Sequence, residues 1–477
     1  MASKRRNMFQ KNKTQETTEN GLFALASCES PVVEPQEEAN EIVAGQNKLA
    51  MDLFKYKLYC DYPLCLKAED GAQAPKHVLP VQEAVNDGNS GAGKSRRIAI
   101  REDIVTVACR LLLLSSHILK DGTAEGNLFI SPLSVATCLA MLYMMANTTT
   151  AQEIAAVMNV HQPDNIDEDN SLAEGFQRAL KSLDVGGSFL IANRVFVDDE
   201  FEVKPSYTEA VKEYLGADSE ILDFTNHTES SRKRINKWAS DHTKGKIDQL
   251  LKPGALSMDI VMVLVSTIHF KGKWQHCFSN TTQMDFVSEG GNRTAVKMLK
   301  VFEKLGHAEI PSIGARVLSL PYLDNNQSLV IILPDEVDGL AKVEEEIVKL
   351  DFEKDILQQI KATSIVNAAI PEFQLEESYE LRSPLSQLGM KSAFNGHVSD
   401  FSRGVSTTGL EVSKVYHNTA IVVNEEGTEA AASTGAGLYL KSGVVTDFTV
   451  DHPFMFAITD NKLKSIVFLG RFLGPDQ

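Results

Sequence analysis

The chain has 477 residues, a length that admits two or three domains, or one large domain of roughly 350–400 residues with appendages. Its hydrophobic content of 43% and charged content of 23% are ordinary for a globular protein, so most of the chain can bury a core. The formal net charge of −17 argues against a general affinity for nucleic acid or anionic membranes, since both require a basic surface.

The N-terminal quarter contains two candidate helices. Residues 1–38 are polar and are expected to be disordered, because they cannot bury enough apolar surface to offset the entropy of ordering. Apolar residues recur at helical spacing in EIVAGQNKLAMDLFKYKLY (41–59) and again in REDIVTVACRLLLLSSHILK (101–120). A segment rich in glycine, proline and alanine, residues 61–95, separates the two candidates.

Helix signals become stronger in the next part of the chain. Ser131 and Pro132 form a typical N-cap and first-turn pair ahead of an apolar run, which predicts a buried helix. Thr150 and Glu153 have the spacing of a capping box and predict the start of another helix. Two amphipathic helices are predicted further on, at Ser171–Leu183 and Ser231–His242.

Strand-like runs dominate the second half of the chain. They are predicted at Ser188–Val197, Ile260–Phe270, Arg316–Tyr322, Ser328–Leu333, Thr419–Val423, Pro453–Ile458 and Ser465–Phe472. Because helices cluster early and strands cluster late, the pattern predicts the α+β class.

A long connection, EEGTEAAASTGAGLYLKS (425–442), lies between the strand-like runs TAIVV (419–423) and VTDFTV (445–450). In a compact domain a connection of this length is usually functional. As a strand it would present one face of uncharged, mostly small residues: Thr428, Ala430, Ala432, Thr434, Ala436 and Leu438. Such a face can enter a sheet without burying a charge. We therefore interpret the stretch as an insertable loop whose last residues are exposed.

These features resemble the serpin family, and the resemblance runs from Asn127 to Pro475. The matching segments are NLFISPLSVA (127–136), INKWASDHTKGKI (235–247), FKGKW (270–274), ILPDE (332–336), LGMKSAF (388–394), GLEVSKVYHNTAIVVNEEGTEAAAS (409–433), DHPFMFAI (451–458) and FLGRFLGP (468–475). The resemblance implies three β-sheets, about nine helices and an exposed reactive-centre loop. It also implies that a protease cleaves this loop, which then inserts into the main sheet and traps the acylated protease.

The loop hinge resembles that of inhibitory serpins, which implies a suicide-substrate inhibitor and not an enzyme. The hinge residues are Glu426, Gly427, Thr428, Glu429, Ala430, Ala431, Ala432 and Ser433. The customary loop length of the family, counted from Glu425, places the scissile bond at Lys441–Ser442. A lysine at this position suits a trypsin-like serine protease, whose specificity pocket ends in a carboxylate. Cleavage after Tyr439 or Leu440 is the alternative, and a non-inhibitory chaperone or ligand carrier is the alternative function.

The resemblance also implies a polar cluster beneath the insertion site that controls opening of the main sheet. Its members are Ser131, Ser134, Asn236 and His417. They are expected to be buried and hydrogen-bonded and to have no catalytic role, since buried polar groups must be paired. Ser266 and His269 stand where the family commonly has Asn and Tyr, so the network is expected to differ from the family pattern.

The family pattern implies one serpin domain over residues 39–477, after the disordered extension at 1–38. Residues 41–59 are closest to the first family helix, which makes 60–118 an insertion between that helix and the NLFISP segment. The alternative places the first helix at 101–120 and makes everything before it a tail.

No motif for catalysis, a metal or a cofactor is convincing. The chain has no GxSxG or HExxH sequence, and its six cysteines lack the spacing of a zinc site. GNSGAGKS (88–95) matches a phosphate-binding loop, but no buried strand precedes it, as the nucleotide site would require. We therefore expect no enzyme, no metal and no cofactor, and Lys94 is not expected to contact a phosphate.

The remaining expectations concern partners and compartment. The helix SLAEGFQRALKSL (171–183) has too few cations for glycosaminoglycan binding, and the run Arg232-Lys233-Arg234 is interpreted as a solvated helix face. No apolar run is long enough to span a membrane, and a monomer is expected. The family resemblance implies an extracellular protein. No signal peptide is evident, however, and the cytoplasm is the alternative. Five Asn-x-Ser/Thr sequons are present: Asn147, Asn226, Asn280, Asn292 and Asn326.

Overall fold

The computed structural model describes residues 126–158, 160, 170–183, 188–425 and 445–475. Seven α-helices occur within these residues: α1 Pro132–Met145, α2 Thr148–Met158, α3 Ser171–Leu183, α4 Pro205–Leu215, α5 Phe224–His242, α6 Leu340–Ile347 and α7 Arg382–Gln387. The strands are β1 Leu128–Ile130, β2 Phe189–Asp198, β3 Asp218–Leu222, β4 Met262–Phe270, β5 Asn280–Val287, β6 Arg293–Glu303, β7 Gly306–Ile310, β8 Ala315–Pro321, β9 Gln327–Pro334, β10 Ile365–Pro371, β11 Phe373–Glu380, β12 Lys414–Val423, β13 Val445–Thr449, β14 Phe454–Asp460 and β15 Ser465–Phe472.

Helix α1 lies at the centre of the core. Its N-cap is Ser131, whose side chain accepts a hydrogen bond from Ser134 N, and Pro132 occupies the first turn. Nearly every side chain of α1 is buried, because the helix packs against β2, β4 and β15. This confirms the buried helix that the sequence predicts.

The main sheet, here called sheet A, has five strands in the order β11-β12-β4-β2-β3. Its central pair, β12 and β4, runs in parallel, with partners from Lys414 opposite Val263 to Ile421 opposite Phe270. On either side of this pair the sheet is antiparallel, β11 with β12 and β2 with β4. We call the line of contact between β12 and β4 the seam.

The two faces of sheet A are covered differently. On β4, Leu264 and Ile268 face the main core with α1, whereas Val263 and Val265 face a second cluster formed with α5 and the segment after it. This alternation is the strand period of two, and it explains why β4 is buried over its whole length. Sheet A therefore lies between α1 and α5.

Two further sheets complete the described fold. Sheet B has the order β1-β15-β14-β9-β8-β7, and its core contains stacked rings such as Phe129 and Phe468, whose centroids are 4.8 Å apart. Sheet C has the order β13-β10-β6-β5, with β13 parallel to β10. Within the described residues, three sheets, seven α-helices and one π-helical turn, Phe352–Ile356, confirm the α+β class and approach the expected number of about nine helices.

One predicted helix start is wrong. Helix α2 begins at Thr148, so Thr150 and Glu153 lie inside the helix and form no capping box. Their side chains bind a neighbouring segment instead: Thr150 Oγ1 accepts from Asp400 N at 3.0 Å, and Glu153 Oε2 accepts from Ser392 N at 2.7 Å. Tertiary partners have replaced the local hydrogen bonds that the pattern suggested.

Several predictions fall outside the described residues. These are the disordered extension 1–38, the candidate helices 41–59 and 101–120, the insertion 60–118 and the GNSGAGKS match at 88–95. Among the described helices, none is long and apolar enough to cross a bilayer.

Candidate functional site

The seam of sheet A is the candidate functional site, because the long loop begins where β12 ends. Strand β12 stops at Val423, Glu425 is the last described residue before the loop, and the chain is described again from Val445 in β13 of sheet C. The hinge residues 426–433 and the expected scissile bond Lys441–Ser442 lie outside the described residues.

A chain of hydrogen bonds crosses the seam on the α1 side. His417 on β12 accepts a hydrogen bond at Nε2 from Ser131 N, at 3.0 Å. Its Nδ1 lies 3.2 Å from Ser266 Oγ on β4. Because Nε2 is an acceptor, the proton of the neutral ring is on Nδ1, which donates to Ser266.

The same chain continues from β4 to β2. Ser134 donates its single hydroxyl proton to Asn193 Oδ1 at 3.5 Å, so the Ser266 hydroxyl is the donor in its 2.7 Å hydrogen bond to Ser134 Oγ. The chain thus ties β12, β4 and β2 to α1. All five side chains are buried, from 0% exposed at Ser131 and His417 to 5% at Asn193.

Burial fixes the protonation state of this cluster. Desolvation lowers the pKa of His417 from 6.5 to about 3, against a smaller opposite effect of a hydrogen bond with the backbone of Ser266. The ring is therefore neutral at physiological pH. Since no hydroxyl of the cluster reaches the surface, none can attack a substrate, and the cluster can only hold the strands together.

Asn236 lies apart from the other three expected members. It is on α5, on the opposite side of sheet A, and its side chain makes two hydrogen bonds to the backbone of Leu251: Nδ2 to the carbonyl at 2.9 Å and Oδ1 from the N–H at 2.8 Å. This pins the segment after α5 to the helix. The structure therefore brings Ser131, Ser134 and His417 together, adds Ser266 and Asn193, and does not bring in Asn236.

Asn193 was not anticipated from the sequence. Its only signal was its position, next to Arg194, between the apolar segments FLIA and VFV, which predicts a strand position with a polar partner. Ser266 departs from the family pattern, and its short side chain places the hydroxyl within hydrogen-bond distance of both Ser134 and His417.

A second set of contacts surrounds the point where β12 ends. Trp274 Nε1 donates to Asn424 O at 2.9 Å, and its ring stacks on Tyr322 with centroids 4.4 Å apart. Lys297 Nζ on β6 lies 2.6 Å from Glu425 Oε1 and 3.0 Å from Glu372 Oε2. The sequence offered no signal for these ion pairs, because Lys297 and Glu425 are 128 positions apart.

These ion pairs shift the pKa values of Lys297 and Glu425. Hydrogen bonds to Glu425 and then to Glu372 raise the pKa of Lys297. The hydrogen bond from Lys297 is the main reason that the pKa of Glu425 is lowered. The lysine is charged, and Glu425 is a carboxylate, at any pH near neutrality.

The basic run on α5 is largely engaged within the molecule. Arg232 is buried and donates to Leu251 O and to Glu229. Arg234 donates to Glu220 at 2.6 Å. The run is therefore not the wholly solvated face that the sequence suggested.

Three carboxylates, of Asp198, Asp199 and Asp223, have oxygens within 4.8 Å of one another. Two of them serve α5: Asp223 is its N-cap and accepts from Asn226 N at 2.6 Å, and Asp198 accepts from Phe224 N at 3.0 Å. Anions at a helix N-terminus are stabilised by its partial positive charge, which accounts for this group.

The architecture defines a class of protein: a large sheet with a parallel seam, a buried polar cluster beneath it, and a long connection that leaves the end of one seam strand. Residues 111–475 match the sequence model of a family described as Serpin (serine protease inhibitor). The chain belongs to the serpin family. The match begins inside the candidate helix 101–120. Membership of a family of inhibitors supports the expectation that the chain is not an enzyme.

Curated relatives are similar over most of their length. A leukocyte elastase inhibitor from Xenopus laevis is 36% identical over 364 residues, which cover 75% of this chain and 95% of that protein. Serpin B4 from Homo sapiens is 35% identical over 373 residues, which cover 74% of this chain and 94% of that protein.

Solved serpin structures share the fold. Serpin48 from the insect Tenebrio molitor is 27% identical with a TM-score of 0.69, covering 80% of this chain and 99% of that one. Uncleaved ovalbumin is 27% identical with a TM-score of 0.69, covering 78% of this chain and 100% of that one. These neighbours support the assignment of the serpin fold.

Proposed function

We propose that this serpin is a suicide-substrate inhibitor of a trypsin-like serine protease, cleaved at Lys441–Ser442. The observation that carries the proposal is the parallel seam between β12 and β4, at whose end the loop begins. A strand that turns back from β12 runs antiparallel to both seam strands. It can therefore pair with both of them, replacing one parallel pairing by two antiparallel ones.

The hinge composition supports insertion into this seam. Its uncharged face, from Thr428 to Leu438, can pack against the α1 side of the sheet without burying a charge. On that side the cluster of Ser131, Ser134, Ser266 and His417 bridges the seam, so its hydrogen bonds must rearrange when the strands separate. We assign these residues to the control of sheet opening.

The target class rests on Lys441 alone. A long cation at the cleavage position is recognised by a carboxylate at the base of a protease specificity pocket. Leukocyte elastase inhibitor is the name of a relative and describes that relative. The target class of this chain is inferred from its own loop sequence.

The test is incubation of the purified full chain with trypsin. A covalent complex that survives boiling in detergent is expected, and mass spectrometry should find a C-terminal fragment that begins at Ser442. Lys441→Glu should abolish both products, because the pocket carboxylate repels a glutamate. Lys462→Glu, which changes an exposed lysine in the turn after β14, is the matched control and should behave as the wild type.

Other outcomes are equally informative. A fragment that begins at Leu440 or Lys441 would move the scissile bond to the alternative register after Tyr439 or Leu440. Clean loop cleavage without any covalent complex would contradict inhibition and favour the chaperone or carrier alternative. The protease panel should therefore include enzymes specific for lysine, for arginine and for large apolar residues.

The relatives do not support the extracellular expectation, and we propose the cytoplasmic alternative. Both cysteines of the described part, Cys138 and Cys277, are free thiols, and Cys277 is exposed. An exposed thiol persists most readily in a reducing compartment. Recovery of the expressed full chain from the culture medium with occupied sequons would contradict this location.

A further inference from the structure

Two segments of the chain share the pattern His-x-Lys-Gly-Lys. They are HTKGK (242–246), at the end of α5 and in the turn after it, and HFKGK (269–273), at the end of β4. Three of their lysines, Lys244, Lys246 and Lys271, are exposed, and none of the three forms an ion pair with another described residue. Their positive charges are therefore not neutralised by a direct partner in this part of the molecule.

Helix α5 brings the two segments together, because it runs along β2 from one end of the strand to the other. Its first residue, Phe224, donates its N–H to Asp198, the last residue of β2, at 3.0 Å. Further along the helix, Trp238 packs edge-on against Phe196 of β2, with ring centroids 5.6 Å apart. The 19 residues of α5 rise about 28 Å, and the 10 residues of β2 span about 33 Å. The turn after α5 therefore lies near the beginning of β2, which pairs with the end of β4.

His269, at the end of β4, faces this turn. It lies an even number of positions after Val263 and Val265, so it is on the same α5 side of sheet A. It is only 5% exposed, and its ring makes no hydrogen bond within the described residues. The ring nitrogens still reach solvent, since the fully enclosed unpaired polar atoms of the described part belong to other residues. A buried polar ring without a partner is unfavourable, so an external acceptor for its N–H would relieve a cost.

The three lysines act on His269 directly. Burial first, and then the charges of Lys246, Lys271 and Lys244, lower the pKa of His269. No carboxylate contributes to this shift, so the positive field at the ring is not offset. The ring is neutral at physiological pH and has one N–H to donate.

The acidic residues beside the turn are already engaged. Asp241 pairs with Lys237 at 2.8 Å, and Asp248 accepts a hydrogen bond from Ser240 at 2.8 Å. The net charge of −17 does not cancel the lysine cluster either, because exposed charges are largely screened from one another beyond about 8 Å at physiological salt. The cluster is therefore a local attractor for anions on an acidic protein.

We propose that Lys244, Lys246, Lys271 and His269 form a docking site for an acidic peptide segment of a partner protein. The site lies at the C-terminus of α5, where the partial negative charge of the backbone carbonyls opposes a compact phosphate dianion. Separate carboxylates can each be met by one long lysine side chain, while the His269 N–H donates to a further carboxylate or to a peptide carbonyl. This inference does not depend on loop insertion or on the target protease.

The experiment uses a fluorescein-labelled hexaglutamate peptide, whose anisotropy is measured with the purified full chain at 20 mM and at 150 mM NaCl. Saturable one-to-one binding that weakens with salt is expected. Lys246→Gln and Lys271→Gln, one from each segment, should each raise the Kd about two- to fivefold, the range for loss of one exposed ion pair. A labelled hexaglutamine peptide should not bind.

Two further variants separate a specific site from a general charge effect. Lys212→Gln removes an exposed lysine on α4 and changes the net charge equally, so it is the matched control and should bind as the wild type does. His269→Phe keeps the net charge and an aromatic ring but removes the N–H donor. It should weaken binding and leave the salt dependence as in the wild type, whereas the two lysine variants should reduce that dependence.

Three outcomes would overturn the proposal. The first is an equal loss of binding in Lys212→Gln, which would show a non-specific charge effect. The second is unchanged binding by Lys246→Gln or Lys271→Gln, which would show that the two segments do not form one site. The third is displacement of the labelled peptide by tripolyphosphate at a lower concentration than by unlabelled hexaglutamate, which would make phosphate the preferred ligand. The melting temperature of each variant is measured alongside, so that a folding defect is not read as a loss of binding.

Discussion

At the scale of single residues, the hydrogen-bond chain through His417 links β12 to β4 across the seam. Each donor has one acceptor, from Ser131 N through His417 and Ser266 to Ser134. Protonation of His417 would break this order, because Nε2 would become a second donor facing the N–H of Ser131. The cluster therefore depends on a neutral ring.

The pH dependence of stability follows from that requirement. The pKa of His417 is about 3 in the folded protein and 6.5 in its ordinary state, so between these values the unfolded chain binds a proton that the folded chain does not. The contribution is complete above about pH 6.5 and falls by about 1.4 kcal/mol per pH unit below it. Urea unfolding at pH 7.5 and at pH 5.5 should show this loss.

His417→Asn is the comparison variant for the pH measurement, since asparagine keeps a polar side chain that does not titrate. Its loss of stability between the two pH values should be smaller than that of the wild type. It should not vanish, because burial and nearby lysines also lower the pKa of His269, and this contributes with the same sign. Equal pH slopes in the two proteins would contradict the assignment to His417.

At the scale of secondary-structure elements, insertion requires that the face of the hinge that enters the α1 side of sheet A be uncharged. Thr428 is the first residue of the uncharged face, so Thr428→Arg would place a cation under sheet A during insertion. Burying an unpaired charge there costs on the order of several kcal/mol. We expect this variant to be cleaved by trypsin as a substrate, with little or no covalent complex.

Glu429→Arg is the matched control for Thr428→Arg. It puts the same cation on the opposite face of the same strand, where insertion leaves it toward the α5 side, and trapping should persist. The melting temperature adds a second measurement, since cleavage of the wild type should raise it and cleavage of Thr428→Arg should not. Equal trapping by both variants would show that the faces are assigned wrongly.

The sequence predicted correctly the elements that are determined by residues close together in the chain. Helix α1 and strand β15 were placed correctly from N-cap residues and apolar runs. Strand β12 begins at Lys414, earlier than the predicted Thr419, because its first half carries the polar residues His417 and Asn418. Those side chains are buried by neighbours distant in the chain, and no local pattern records that. The ion pair of Lys297 with Glu425 was missed for the same reason.

At the scale of the whole molecule, the N-terminal quarter raises the question of which segment forms the first helix of the domain. We propose that residues 60–118 are an insertion after a first helix at 41–59. Deletion of residues 61–117, which joins Cys60 to Ile118, should then leave folding and protease trapping intact, because loop-closure entropy changes only slowly with loop length. The measurements are the melting temperature and the yield of covalent complex.

The deletion also decides between the two candidate first helices. Loss of folding would favour residues 101–120 as the first helix, since most of that segment is removed. Addition of ATP with Mg²⁺ to the full chain should not change its melting temperature. A rise that disappears in Lys94→Ala would instead restore the phosphate-loop interpretation of residues 88–95.

The parallel seam has a consequence for how the lifetime of this protein should be understood. A sheet that can accept one more strand has a second arrangement with more backbone pairing, so under the proposed function the five-stranded form is not the lowest in free energy. The five-stranded form then persists because of the free-energy barrier to separating β12 from β4. Its stability is kinetic, and it is measured as a half-life. An apparent melting temperature of the uncleaved chain should accordingly depend on how fast it is heated.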